Sequence, residues 1–204
     1  MDDFPQKYLL AQFTTGRAYM SATIASNIST SVWTIDPAHT VAEFKVKHMM
    51  ISNIKGRFSV MAGGLLLDEA DVARSRVIAT IDAASIDTGD SQRDTHLKSL
   101  DFLAVEFFPT LSFASSRITQ FGEGLLDVEG ELTIHGVRRR AVFEVEGPST
   151  PAKGLWGKLR VGVSATATID RKAFGLLWNA VIESGSFPIG DEVRISVDAQ
   201  FVQS

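Results

Sequence analysis

Period-two alternation constrains this chain more than any other feature. In residues 42–47, Ala42, Phe44 and Val46 fall on one side, and Glu43, Lys45 and Lys47 on the other. Residues 126–135 set Leu126, Val128, Leu132 and Ile134 against Asp127, Glu129, Glu131, Thr133 and His135. Residues 158–169 set Leu159, Val161, Val163, Ala165, Ala167 and Ile169 against Lys158, Arg160, Ser164, Thr166 and Thr168. Across residues 193–201 the odd-numbered positions are all apolar. Successive side chains of a strand point to opposite faces, so this period marks strands with one buried face. Less regular strands are predicted over residues 56–67, 76–82, 110–116 and 137–145, which brings the total to about eight or nine.

Short connections carry turn residues, such as His135-Gly136 and Gly122-Glu-Gly124. No long helices alternate with the strands, so the sheet is expected to be antiparallel. A sheet with one apolar face hides it either in a two-sheet sandwich or in a closed barrel. An eight-stranded barrel is just wide enough to be filled by side chains or to hold one small ligand. The small inward residues Ala42, Gly130, Ala165, Ala167 and Ala199 leave volume and point toward a cavity.

One interval breaks the period. In residues 91–104, Leu97, Leu100 and Ala104 fall at helical spacing, and Ser91 followed by Asp94 resembles a capping box. One or two short inserted helices are predicted here. Residues 1–31 show no period and read as an N-terminal extension; residues 32–204 read as the folded domain.

Composition narrows the function classes. Hydrophobic residues make up 45% of the 204, enough for one sizeable core. The net charge is −4 with signs well mixed, which lacks the basic footprint of a nucleic-acid binder and argues against a protein that coats anionic membranes. The chain has no cysteine, so disulfides, thiolate nucleophiles and Cys-ligated metals are excluded. No run approaches the ~18 apolar residues of a spanning helix, so stable membrane insertion is not expected. Asp2 and Asp3 stand where a signal peptide carries positive charge, and the apolar stretch at residues 8–11 is short. Neither Met1 nor the alternative start Met20 opens a signal pattern, so the sequence predicts a cytoplasmic protein.

No Gly-x-Ser-x-Gly elbow, Gly-x-Gly-x-x-Gly loop or phosphate-binding loop occurs. His39, His48, His96 and His135 lie in separate elements without metal-ligand spacing. Neither metal, cofactor nor catalysis is expected. The run Arg138-Arg139-Arg140 reads as a solvated strand edge. The segment Arg93-Asp94-Thr95-His96-Leu97 carries two compatible readings. Arg93 and His96 can hold the polar head of an amphiphile, and Asp94 can cap a helix and pair with Arg93 to fix the loop.

Several segments in order resemble one known family. They are Trp33-Thr-Ile-Asp36, His39, Phe44-Lys-Val-Lys-His48 and Gly56-Arg-Phe58, then Ile86-Asp-Thr-Gly89, Arg93-Asp-Thr-His-Leu97, Ser99-Leu-Asp-Phe102 and Phe108-Pro-Thr-Leu-Ser-Phe113. Gly130-Glu-Leu-Thr-Ile-His-Gly136, Asp170-Arg-Lys-Ala-Phe-Gly175 and Gly190-Asp-Glu-Val193 follow. From about Trp33 to the C-terminus the chain resembles the YceI-like family of lipid-binding barrel proteins.

The resemblance implies an all-β, lipocalin-like antiparallel eight-stranded β-barrel whose cavity binds a polyisoprenoid, an isoprenoid quinone or another long amphiphilic lipid. On this reading Phe44, Val46, Phe58, Leu97, Leu100, Phe102, Phe113, Phe174 and Trp178 surround the tail; as ordinary core they would simply fill the barrel. His48, Arg93 and His96 stand for the polar head. The competing expectations are an isomerase-like enzyme using His48 or His96, and a ligand-free stress-response barrel. Two departures matter. Many relatives are periplasmic, whereas no export signal is seen here. Residues 176–189 are longer and more apolar than the family pattern, with Trp178, Val181, Ile182, Phe187 and Pro188, and predict a lid or a homodimer contact. Leu103 stands where the family usually repeats an aromatic after Phe102.

Overall fold

The computed structural model describes residues 30–154, 157–179 and 189–204. Most of the predicted extension, and Val181, Ile182, Phe187 and Pro188 of the apolar segment, lie outside the described residues. The first half holds β1 (Thr30–Ile35), β2 (Val41–His48), β3 (Ser52–Phe58), β4 (Met61–Asp68), β5 (Arg76–Asp82) and β6 (Ile86–Asp87). A single described α-helix, α1 (Ser91–Lys98), follows. The second half holds β7 (Thr110–Gly122), β8 (Leu125–Ile134), β9 (Val137–Glu146), β10 (Ala152–Lys153), β11 (Leu159–Asp170) and β12 (Ile189–Gln203).

The sheet runs β11-β9-β8-β7-β5-β4-β1-β12, and β12 also pairs with β11. That second pairing closes the sheet on itself and decides for a barrel over a sandwich. All pairings are antiparallel. β1 and β2 lie along the same edge of β12, and β4 and β3 pair with β1 and β2 in turn. Each couple is therefore one bent strand, which gives eight strands around the barrel. The residues read from sequence as one strand over 56–67 are split between β3 and β4.

The bend between β1 and β2 has a local cause. Pro37 lacks the N–H that a ladder needs, and the Asp36 carboxylate accepts from the Ala38 N–H at 3.1 Å, which turns residues 37–39 into a short 3-10 helix. Asp36 then ties the bend to the seam. It accepts from Arg160 on β11 and from Gln200 on β12, and pairs with His39 at 3.0 Å.

The predicted alternation holds where it is strictest. Leu126, Val128, Leu132 and Ile134 of β8 are all buried, and full burial of such a side chain is worth roughly 1.5–3 kcal/mol. The pairing of β9 with β11 covers only residues 144–146 of β9. The first half of β9 is therefore an edge, and the arginine run lies on it. Arg138 and Arg140 pair there with Glu131 and Glu129 of β8. The seam this leaves is filled by the 3-10 turn Arg171–Phe174, which contacts β9.

Helix α1 is shorter than the predicted interval and starts from a different cap. Asp90, not Ser91, accepts from the N–H groups of Gln92 and Arg93. Asp94 instead accepts from Thr88 N and Oγ1. After Lys98 the chain leaves the helix through turns in which Ala104 takes a left-handed conformation (φ 46°).

Candidate functional site: an apolar cavity with a polar rim

The barrel encloses a cavity of about 940 Å³. Its walls come from nearly every strand, because each contributes one apolar face: Phe44 and Val46 from β2, Phe113 from β7, Phe143 from β9, Ala165 from β11, Val197 from β12. Phe58, Ile86 and Leu126 belong to one buried cluster on this wall; Ile35, Leu65 and Phe201 belong to a second.

Two glycines aim aromatic rings into this space. A Cβ on Gly56 would stand 2.4 Å from the Phe44 ring, and one on Gly130 would stand 2.6 Å from the Phe113 ring. Glycine at these positions lets each ring lie across the neighbouring strand. Gly130 is thus not an empty inward volume but the bed of Phe113. Ala42, Ala165 and Ala199 do line the cavity, and Ala167 does not.

One end is closed. Leu67, Val72 and Ser75 line it, and Ser75 is fully buried with its hydroxyl accepting from the Asp68 N–H at 3.0 Å. Among the described residues, the opposite end opens where the β2–β3 hairpin, α1 and residues 176–178 meet; exposed Lys47, Asp90 and Gln92 line the cavity there.

Contacts close a rim around that opening. His96 of α1 meets the Phe102 ring edge-on at 5.1 Å and the Trp178 ring at 4.7 Å, and its Nε2 pairs with Asp101 at 3.0 Å. His48 stands opposite Ile189 in the β2–β12 ladder and also lines the cavity. Thr88, just before α1, packs on the Gly56 backbone of β3, where a Cβ would meet it at 2.8 Å. Arg93 donates from Nε to Thr88 Oγ1 at 2.7 Å and from Nη2 to Thr88 O at 2.9 Å. Among the described residues its Nη1 reaches only Asp90, at 4.0 Å. The Asp90 carboxyl is held below the usual carboxylate range, first by the Arg93 N–H it caps. Arg93 thus fixes the loop, with Thr88 rather than Asp94 as its partner, and it also lines the cavity.

Of the residues predicted from sequence, the cavity gathers Phe44, Val46, Phe58, Leu97, Phe102, Phe113, Trp178, His48, Arg93 and His96. Two expectations are corrected. Leu100 is 73% exposed and faces away from the cavity, because α1 ends two residues before it. Phe174 is 2% exposed and packs in the core at the β9 seam, outside the cavity lining. The other histidines serve elsewhere, His39 on Asp36 and His135 against Phe108 at 4.7 Å. Among the described residues no group of three or more His, Asp or Glu side chains could hold a metal ion.

Sequence reasoning missed Arg171. It lines the cavity and is 3% exposed. It donates to the carbonyls of Gly190 (2.9 Å), Leu176 (2.5 Å) and Trp178 (3.0 Å), and to the Asp191 carboxylate (3.1 Å). Asn179 closes the same knot with reciprocal bonds to Ile189 O and N, at 2.8 and 3.3 Å. The only signal was the Asp170–Gly175 motif itself, which showed kinship but not a role.

With this geometry, comparison with known proteins is decisive for kinship. The YceI-like domain model matches residues 33–201. The chain belongs to the YceI-like family. A UPF0312 protein of Staphylococcus aureus (strain N315) is 33% identical to this YceI-like chain over 169 residues, covering 83% of it and 96% of the relative. Among solved structures, the YCEI protein of Campylobacter jejuni superposes with TM-score 0.66 at 27% identity, covering 78% of this chain and 91% of that one. BcnA of Burkholderia cenocepacia reaches TM-score 0.68 at 24% identity, covering 81% and 98%. A polyisoprenoid binding domain from Saccharophagus degradans, implicated in plant cell wall breakdown, shares the fold with TM-score 0.61 at 17% identity, covering 84% and 98%. No described helix of this YceI-like chain is long and apolar enough to cross a membrane.

Proposed function

We propose that this YceI-like chain is a binding and carrier protein for a long-chain amphiphile of the polyisoprenoid or isoprenoid-quinone class. The carrying observation is the 940 Å³ cavity, apolar along its length, with Arg93, His96 and His48 gathered at its open end. Such a volume lies within the range of ligand sites, in which an apolar lining supplies affinity and a few polar groups supply orientation. Each methylene taken from water is worth roughly 0.8 kcal/mol, so a tail of about twenty carbons offers on the order of 15 kcal/mol before ordering costs. Tight retention therefore needs no catalytic group. The structurally similar Saccharophagus degradans domain, which is described as polyisoprenoid-binding, supports the same reading.

The enzyme reading is less well supported. An isomerase needs an acid or base against the tail, whereas both candidate histidines stand at the rim: the side chains of the His96–Asp101 pair are substantially exposed, and His48 is the last residue of β2, at the open end. The ligand-free barrel is disfavoured by the void, since cores are normally packed nearly solid. Organic extraction of purified protein followed by mass spectrometry tests the proposal. A stoichiometric isoprenoid or similar long-chain lipid is expected. Protein that carries no lipid and takes up none when incubated with polyprenyl alcohols or quinones would overturn it.

A further inference from the structure

The β2–β3 hairpin does something the cavity does not require. Its inner face is cavity wall as far as His48, and its tip then projects beyond the rim with Met49, Met50 and Ile51 exposed at 43%, 69% and 81%. The turn places two consecutive non-glycine residues in the left-handed region, Met49 at φ 50° and Met50 at φ 60°. Two successive positive φ angles are what Asn-Gly supplies without strain. A Met-Met pair here works against local stability, and it exposes three large apolar side chains side by side.

The charge on the hairpin itself is one-sided, whereas the neighbouring rim also carries Asp90 and Asp101. Residues 44–56 contain Lys45, Lys47 and Lys55 and no acidic residue. Lys45 stands directly opposite Lys55 on β3 and opposite Arg194 on β12. Like charges facing across strands are destabilising. Arg194 is partly offset by Glu192 on its own strand, and Asp191 near the base is engaged by Arg171 and Lys172. Lys45, Lys47 and Lys55 form no ion pair with a described residue. The whole chain carries −4, so an anionic surface would repel most of the molecule and accept the hairpin, while Asp90 and Asp101 of the rim are each paired, with Arg93 and His96.

We propose that the hairpin tip is a membrane-docking element. Met49, Met50 and Ile51 enter the interfacial region of an anionic phospholipid bilayer, and Lys45, Lys47 and Lys55 lie against its headgroups. Apolar insertion combined with local basic charge is the pairing that gives reversible surface binding. Docking in this pose sets the cavity mouth, one residue from the tip at His48, on the lipid surface. An amphiphile can then pass between bilayer and barrel with little exposure to water.

The test is vesicle flotation of the full chain with phosphatidylcholine vesicles, with and without phosphatidylglycerol, and containing no isoprenoid. Wild-type protein is expected to float with the anionic vesicles and to be released by salt, because screening weakens exposed charges. The double variant M49N/M50G is expected to keep or raise its melting temperature while losing at least about tenfold in partitioning. K45Q/K47Q/K55Q is expected to lose the preference for anionic vesicles. Wild-type protein that stays unbound, or that dimerises through the tip in light scattering instead, would overturn the proposal, as would M49N/M50G floating like wild type. Because these vesicles contain no ligand, a negative result leaves the cavity-binding reading standing, and failure of lipid extraction leaves this one standing.

Discussion

Arg171 donates from Nη1 to the backbone carbonyl of Trp178 at 3.0 Å, and the Trp178 indole in turn closes the cavity rim against His96 at 4.7 Å. A buried cation thus holds the rim by its backbone. Arg171→Met should leave the carbonyls of Leu176, Trp178 and Gly190 and the Asp191 carboxylate without their donor. A loss of about 3–5 kcal/mol in unfolding free energy is expected, since removing one partner of a buried charged network strands the others. Chemical denaturation checks the size, and Trp fluorescence reports release of the rim. An unchanged midpoint together with unchanged fluorescence would remove Arg171 from this role.

Arg93 offers the head-group test. Its Nε and Nη2 are committed to Thr88, and Nη1 is the arm left for a ligand. Arg93→Ala should weaken binding of a polar-headed isoprenoid about tenfold or more, because charge-assisted hydrogen bonds contribute roughly 1.5–3 kcal/mol. A plain hydrocarbon of equal length should bind nearly as before. Melting temperatures of the variant control for loosening of the Thr88 loop. A stable variant that binds both ligands like wild type would shift the head group to His48 or His96.

Filling the cavity should shorten its ligands. Ala165 lines the void from β11, so Ala165→Phe grows into empty space rather than into packed atoms. Stability is expected to change by less than the roughly 1–3 kcal/mol that overpacking a solid core costs. Affinity should fall steeply for the longest chains and little for short ones. A variant with wild-type length preference would place the tail elsewhere.

Acid stability should depend on the Asp36 tie. The Arg160 guanidinium holds the Asp36 carboxyl below its usual range, with His39 and the Ala38 N–H adding to the effect against a desolvation penalty. A carboxyl whose pKa is lowered on folding stabilises the native state above its unfolded value, about 3.9. That stabilisation fades as pH falls from there through the folded value. Arg160→Gln should therefore lower the melting temperature at neutral pH, and the gap to wild type should narrow in strong acid, where Asp36 is protonated in both proteins. A gap independent of pH would mean that Arg160 acts through packing alone.

The strands were legible because their signal is local. The alternation of Leu126, Val128, Leu132 and Ile134 needs only the geometry of an extended backbone, and the structure buries all four. The ordered motifs likewise show kinship by themselves, and the family match over residues 33–201 agrees with them. Barrel closure was a different matter. Alternation permits a sandwich equally, and only the second pairing of β12 with β11 decides between them.

The candidate site divides along the same line. Leu97 and Leu100 look alike at helical spacing, but one lines the cavity and the other is exposed, because α1 stops at Lys98. Phe174 reads as one more apolar residue, and its place in the core follows from a seam that exists only once β9 and β11 diverge. Arg171 could not be assigned from sequence, since all its partners but the Asp191 carboxylate are backbone carbonyls, at positions 176, 178, 189 and 190. A residue's face and its strand are set by neighbours one or two positions away, and the sequence alone determined these for most of the barrel. Which side of a closed wall a ring occupies, and which distant carbonyls a buried cation gathers, depends on segments brought together by chain closure, and only the tertiary structure decided that.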